Sequence, residues 1–307
     1  MKKVVCVIIY LLFYHGMYAQ DNTAPYILVL GVAQDGGYPH MGCSGKCCKM
    51  AWEDRSMRRN VVSLALVDPK SGKWWLFEAT PDIKEQLHYF EALTKGLYNF
   101  LPSGIFITHA HIGHYTGLME LGKEVMGTRD VPVYAMPRMK NFLETNGPWS
   151  QLVTLHNILL RPLHADSTVQ LSENVSVRSF VVPHRDEYSE TAGLEIITSN
   201  KKYLFIPDIN KWEKWDRSIL DEVNKVDIAM VDATFYDANE LPGRNMANVP
   251  HPTVGETMGL FEHADKQTKA KIYFIHFNHT NPILWDANKR EEVKSAGFNI
   301  AVQGGEL

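Results

Sequence analysis

The stretch Ile107-Thr-His109-Ala-His111-Ile-Gly-His114-Tyr-Thr-Gly117 governs the reading of the whole chain. It begins where an apolar run, Gly104 to Thr108, gives out, and it leads into helical spacing from Gly117 to Met126. Alternate residues leaving a strand end can aim His109 and His111 at one point, while the following turn brings His114 to a neighbouring point. Neutral imidazole is the commonest protein ligand for zinc and similar ions. Histidines so spaced at a strand end predict a metal site rather than a surface cluster.

Outward from that point the pattern is α/β throughout. Apolar runs rich in β-branched or aromatic residues predict strands at Tyr26–Gly31, Val61–Val67, Trp74–Ala79, Val131–Ala135, Val175–Val182, Leu194–Thr198, Tyr203–Pro207, Ile228–Asp232 and Lys271–Phe277. Amphipathic spacing predicts helices at Pro81–Leu93, Pro137–Thr145, Lys211–Val223, Pro252–Asp265 and Asp286–Ser295. No internal repeat, low-complexity tract or Gly/Ser linker marks a boundary. A single domain over residues 25–307, built as a layered α/β sandwich, is the economical expectation.

With the later strand ends in view, the chain resembles the metallo-β-lactamase superfamily, whose signature is H-x-H-x-D-H at such a strand end. The resemblance implies a four-layer αββα sandwich. It also matches His184 in Val-Val-Pro-His, Asp208 in Leu-Phe-Ile-Pro-Asp and His276 in Tyr-Phe-Ile-His to the family's later ligands, in family order. His109, His111 and His184 would then hold one metal and His114 and His276 a second, with Asp208 between them. One departure weakens the second position: Gly113 stands where the family has its motif aspartate. Glu78 is expected to stand behind a ligand or cap a helix. Leu28-Val-Leu-Gly-Val-Ala-Gln-Asp-Gly-Gly-Tyr-Pro39, followed by a cysteine loop, is similar to the pyrroloquinoline quinone biosynthesis protein B group, whose cysteines resemble a structural zinc knuckle.

That loop carries His40, Cys43, Cys47 and Cys48, and a disulfide, a structural zinc or free thiols are open for it; vicinal cysteines depart from the usual C-x2-C spacing. Val249-Pro-His251-Pro-Thr253 looks similar to the segment carrying a catalytic histidine in superfamily phosphodiesterases and tRNA-processing ribonucleases. His251 is accordingly the candidate general acid, with a metal-ligand role at the position lost at Gly113 and a helix-capping role as alternatives. Asp208 is the second residue expected to take part in the chemistry. The polar stretch from Phe235 to Asn248 is expected to rim the pocket. Trp212 and Trp215 are expected on a helix face packed on a sheet, the alternative being the pocket wall, and His279 as a loop histidine.

Lys2 and Lys3 precede an apolar run from Val4 to Tyr14, and Ala19 precedes a polar segment. This predicts a signal peptide over residues 1–19, export to the periplasm or beyond, and no stable membrane span after cleavage. The chain has 307 residues, 45% hydrophobic and 21% charged, with a net charge of −4, which gives no broad footprint for nucleic acid. A small-molecule substrate is the expected partner, and oligomeric state is left open. One or two divalent ions are expected, zinc first, with iron or manganese as alternatives. The leading functional expectation is an exported hydrolase of phosphodiester or ester bonds acting through a metal-bound hydroxide. An iron-dependent oxidase or hydroxylase and a non-catalytic secreted metal-binding protein are the alternatives.

Overall fold

The protein is seen in a computed structural model that describes residues 23–307. The signal peptide expected over residues 1–19 lies outside them. In chain order β1 (Tyr26–Gly31), β2 (Ser63–Asp68), β3 (Lys73–Phe77), β4 (Ile105–Phe106), β5 (Val131–Ala135) and β6 (Ile158–Pro162) form one sheet. A second sheet runs from β7 (Ser167–Gln170) through β8 (Val175–Val182), β9 (Thr191–Thr198), β10 (Lys202–Ile206), β11 (Ile228–Asp232) and β12 (Ile272–Ile275) to β13 (Asn299–Ile300). Each sheet starts antiparallel and turns parallel, the first between β3 and β4 and the second between β10 and β11.

Side-chain alternation builds the layers. Ile27 and Val29 of β1 point into the space between the sheets, whereas Leu28 and Leu30 point outward under helices. Trp75 and Phe77 of β3 face inward in the same way, and Trp74 and Leu76 outward. A strand buried on both faces needs apolar residues at every position, which explains why these segments read as continuous runs rather than alternating ones. Phe77 meets Phe205 of the opposite sheet edge to face at 6.4 Å, and Trp74 stacks on Phe90 of the outer helix Ile83–Leu93 at 3.8 Å. Burying each such side chain contributes about 1.5–3 kcal/mol. The helices Pro137–Thr145 and Trp149–Thr154 also cover the first sheet, and Ile219–Asn224, Val254–Leu260 and Ala287–Ser295 pack onto the second. The fold is the expected four-layer αββα sandwich.

Two expected helices differ. Residues 117–126 form a 3-10 segment, Thr116–Leu121, that ends where Gly122 turns extended at ψ 168°. The helix expected over 211–223 breaks into a 3-10 turn, Trp212–Lys214, and a helix, Ile219–Asn224. The Trp212 indole donates to Thr257 Oγ1 at 2.9 Å and the Trp215 indole to the Val181 carbonyl at 3.2 Å, so both rings turn into the packing between helix and sheet. Ser218 then caps a new start by accepting from the Asp221 amide. Neither tryptophan walls the cleft beside His251. Strands β6, β7 and β13, which are short or largely exposed, were not expected, nor was the helix Lys46–Glu53 in the cysteine loop. Among the described residues no helix is long and apolar enough to cross a membrane.

Candidate metal centre

Apart from His251, which precedes the helix Val254–Leu260, the residues of the centre lie at or just beyond the C-terminal end of a strand. Asp35 follows β1, the histidine motif follows β4, His184 follows β8, Asp208 follows β10, Asp232 ends β11 and His276 follows β12. In sheets with parallel strands this is where side chains from several strands can converge without interrupting the ladders. Two residues at the centre, Glu78 (φ 71°) and His276 (φ 69°), hold left-handed backbone conformations that L-residues adopt only under constraint.

His109, His111, His184 and Asp208 bring ligand atoms within 4.8 Å of one another. Asp208 is the hub: its carboxylate lies 3.3 Å from His109 Nε2, 3.3 Å from His114 Nε2, 3.3 Å from His184 Nε2 and 3.5 Å from His276 Nε2. His109 Nε2 also sits 2.8 Å from His111 Nδ1. With Nε2 kept as a lone pair, His109 carries its proton on Nδ1 and donates to Thr108 Oγ1 at 2.9 Å, which fixes the tautomer. Burial holds His109 well below the usual imidazole range and lowers His184 to about 4, so both stay neutral and ligand-ready. His184 Nε2, Asp208 Oδ1 and His276 Nε2 are buried with no hydrogen-bond partner. Each unpartnered buried polar atom costs about 1–3 kcal/mol, so several converging on one point fit a cation there.

The second position gathers Asp35, His114 and His276. Asp35 Oδ1 lies 3.4 Å from His114 Nε2. Glu78, fully buried, stands behind the ligand as expected: its Oε1 is 3.3 Å from His114 Nδ1 and its Oε2 accepts from the Thr108 amide at 3.3 Å. Burial works against protonation of His114, but Glu78, Asp208 and Asp35 outweigh it and raise the ring well above its ordinary range. The three surrounding carboxylates create a demand for positive charge that a cation would meet. Asp35 brings a carboxylate from another loop into the space beside Gly113. Asp35 was not among the residues named from the sequence; its only signal was a polar turn after an apolar strand.

His251 is 5% exposed, with Nδ1 2.9 Å from Asp232 Oδ2 and 3.1 Å from Asp208 Oδ1. Asp232 was also missed, although it closes an expected strand. Its other oxygen accepts from the Thr234 hydroxyl at 2.7 Å, and Thr234 Oγ1 in turn accepts from His276 Nδ1 at 2.9 Å. One carboxylate thus orients both His251 and a metal-ligand candidate. Burial lowers the His251 imidazole, but Asp232 and Asp208 override this and push it up to about 10. A cation bound at Asp208 would offset that carboxylate's charge and lower the value. The capping role falls to Thr253, which forms a reciprocal capping box with Glu256, so His251 is free of it. His251 forms one wall of a cleft of about 380 Å³ whose rim includes Phe235, Leu241, Arg244 and Asn248. The polar stretch 235–248 lines the pocket as expected.

The cysteine loop forms a separate cluster. Cys43, Cys47, Cys48 and His279 bring one ligand atom each within 4.8 Å of one another. His279 takes the place expected for His40. The His40 ring lies alongside at 4.3 Å, but its Nδ1 donates to the Met41 carbonyl at 2.9 Å, while the loop after β12 delivers His279 to the sulfurs. All three cysteines are free thiols, and Cys43 and Cys47 Sγ are 3.6 Å apart, far beyond the roughly 2.05 Å of a disulfide. Three thiols and an imidazole are a donor set of the Cys3His kind found in structural zinc sites.

Residues 73–277 match the family model described as the β-lactamase superfamily domain. The coenzyme PQQ synthesis protein B of Methylococcus capsulatus is 27% identical over 92% of this chain and 99% of its own length. Among solved structures, Zn(2+)-bound PqqB from Methylobacterium extorquens matches with a TM-score of 0.75 at 22% identity, covering 92% of this chain and 99% of that one. A diphosphatase from the PhnP family matches at 0.67 and 21% identity, covering 92% and 96%. The strand-end ligands, the two-sheet sandwich and the length of the match agree: the chain belongs to the metallo-β-lactamase branch of the β-lactamase superfamily and resembles the PQQ synthesis protein B group within it.

Proposed function

We propose that the protein is an exported metal-dependent hydrolase that cleaves a phosphodiester or related ester bond in a small-molecule substrate. The observation that carries this reading is His251, buried beside the imidazole and carboxylate cluster, oriented through Nδ1 by Asp232, and forming a wall of a cleft beside the centre. One or two divalent ions, zinc before iron or manganese, held by His109, His111, His184, Asp208, His114 and His276, would lower the pKa of a bound water to about 7 and polarise a phosphoryl or carbonyl oxygen. The residues of the chain supply the rest. Asp232 holds the His251 ring so that Nε2 remains to face the cleft and give a proton to the leaving oxygen. Arg185 and Arg244 add positive charge to the same wall and suit an anionic substrate. Export rests on the sequence of residues 1–19, which lie outside the described residues.

The test is turnover of a panel of phosphodiesters and carboxylic esters, beginning with bis(4-nitrophenyl) phosphate, by protein loaded with zinc or manganese. Turnover at least about 10³-fold above the metal-free protein is expected; a fully loaded centre that hydrolyses none of the panel would overturn the reading. The likeness to PQQ synthesis proteins favours a second reading, an iron-dependent oxidase or hydroxylase. Anaerobic purification followed by elemental analysis separates the two, and zinc alone counts against iron chemistry. A non-catalytic metal-binding role fits poorly with an acid–base pair kept beside the ligands.

The thiol cluster is proposed as a structural zinc site. Cys47→Ser is expected to remove one zinc per chain, measured by elemental analysis. With zinc held at about 10²–10³ times its dissociation constant the ion contributes about 2.7–4.1 kcal/mol, so the variant should melt several degrees lower.

A further inference from the structure

Gly113 sits in the short helix Ile112–Tyr115 at the position where the family motif carries an aspartate. Its backbone is not among the left-handed ones, so the glycine is not there for conformation. It is there for space. A Cβ placed on residue 113 would lie 2.2 Å from Asp35 Oδ1, 2.5 Å from Asp35 Cα and 3.0 Å from Asp35 Cβ. The room that a motif side chain would take is occupied by another carboxylate, arriving from the loop after β1.

That loop is held firmly. The Gln34 amide donates to the Phe277 carbonyl at 2.8 Å, and the Phe277 amide donates to the Val32 carbonyl at 2.8 Å, so the continuations of β1 and β12 pair with each other. The pairing places Asp35 beside His276, the residue preceding Phe277. The Gly37 amide closes the turn on the Gln34 carbonyl at 2.8 Å. Three ligand atoms then face one another with no hydrogen-bond partner of their own: Asp35 Oδ1, His114 Nε2 and His276 Nε2, all buried. An Asp–His–His set left unpartnered in this way is the donor chemistry of zinc, iron or manganese.

We propose that the carboxylate ligand of the second metal position has moved in sequence but not in space: Asp35 takes the role of the missing motif aspartate, and Gly113 is the vacancy that admits it. The two positions form an exchangeable pair, in which one must carry the carboxylate and the other must be small. The proposal rests on the metal-dependent reading above but names a ligand, and it is tested by metal content rather than turnover, so a failure to find a hydrolysable substrate leaves it standing or falling on its own.

The experiment uses the full chain in four versions: native, Asp35→Asn, Gly113→Asp, and the exchange Asp35→Gly with Gly113→Asp. Each is loaded with zinc, passed through a desalting column and measured for metal per chain and for affinity of the weaker ion by competition with a chelator. Zinc at the thiol cluster contributes equally to all four and cancels. Asp35→Asn keeps the shape and removes the charge; it is expected to lose about one metal per chain or to bind the weaker ion at least about 10²-fold less tightly, since a carboxylate ligand is replaced by a neutral amide. Gly113→Asp alone is expected to be displaced or poorly folded. The exchange is expected to regain the lost ion. Native stoichiometry and affinity in Asp35→Asn would overturn the proposal. Should the exchange fold, by circular dichroism and melting temperature, yet bind no more metal than Asp35→Asn, the exchangeability falls; should it not fold, Asp35→Asn alone decides the ligand.

Discussion

Asp208→Ala will strip the centre of metal and reduce turnover to background. Its carboxylate is the common neighbour of His109, His114, His184 and His276, at 3.3–3.5 Å from each ring nitrogen. Both metal positions therefore lose a ligand at once, and four buried imidazoles lose the negative charge that favours a cation among them. Removing one partner of a buried charged set is among the few changes with effects of about 3–5 kcal/mol, and for the proposed chemistry the expected loss is at least about 10³-fold in kcat/KM, since an ion and its water would carry that reaction. The strand before Asp208 is held by ladders to β9 and β11 that do not use its side chain, so the variant should keep its far-ultraviolet circular dichroism. Asp208→Asn separates charge from shape and should resemble the alanine variant in metal affinity. Retention of both ions at native affinity would show that the hub is a structural carboxylate.

How far the centre was legible in the sequence depends on whether a residue owes its place to its own strand or to a distant one. His109, His111, His184, Asp208 and His276 each follow an apolar run, and a strand end is a local property, so order along the chain was enough to find them. His251 came from the likeness of Val249-Pro-His251-Pro-Thr253 to a family segment, whereas Glu78 was placed by the strand-end logic. Asp35 was not, because its role is defined only by contact with Gly113, 78 positions later. The missing motif aspartate registered as a loss, because the loop that fills its space is remote in sequence. His279 displaced His40 for the same reason: the local spacing of His40 with the cysteines was plausible, but the loop after β12 approaches them in three dimensions. In the fold, the doubly buried strands were visible as apolar runs, while β6, β7 and β13 carry too short or too exposed a pattern to register. Helix limits failed where tertiary contacts, such as the inward-turned indoles of Trp212 and Trp215, broke a regular spacing.

The sharpest prediction about chemistry concerns His251, because a general acid, a metal ligand and a merely structural ring leave different kinetic traces. If Nε2 gives its proton to the leaving oxygen, the ring matters in proportion to how much that oxygen needs a proton. For a diester with an alkoxide leaving group, His251→Ala should lower kcat by about 10²–10⁴-fold. For a 4-nitrophenyl diester, whose leaving group departs as a stable anion, the loss should stay under about tenfold, because little proton transfer is needed. Metal content should be unchanged in both assays. Asp232→Asn should act in the same direction but more weakly, since it leaves the ring in place and removes the carboxylate that orients it and keeps it protonated. The pH dependence carries a sign as well. Asp232 and Asp208 raise the His251 imidazole, so the acid form is present below its pKa and is lost as pH rises through it; the native alkaline decline in kcat on the alkoxide substrate should vanish in His251→Ala and move to lower pH in Asp232→Asn. An equal loss on both leaving groups, accompanied by a missing metal ion, would make His251 a ligand and leave the leaving group to be protonated by water.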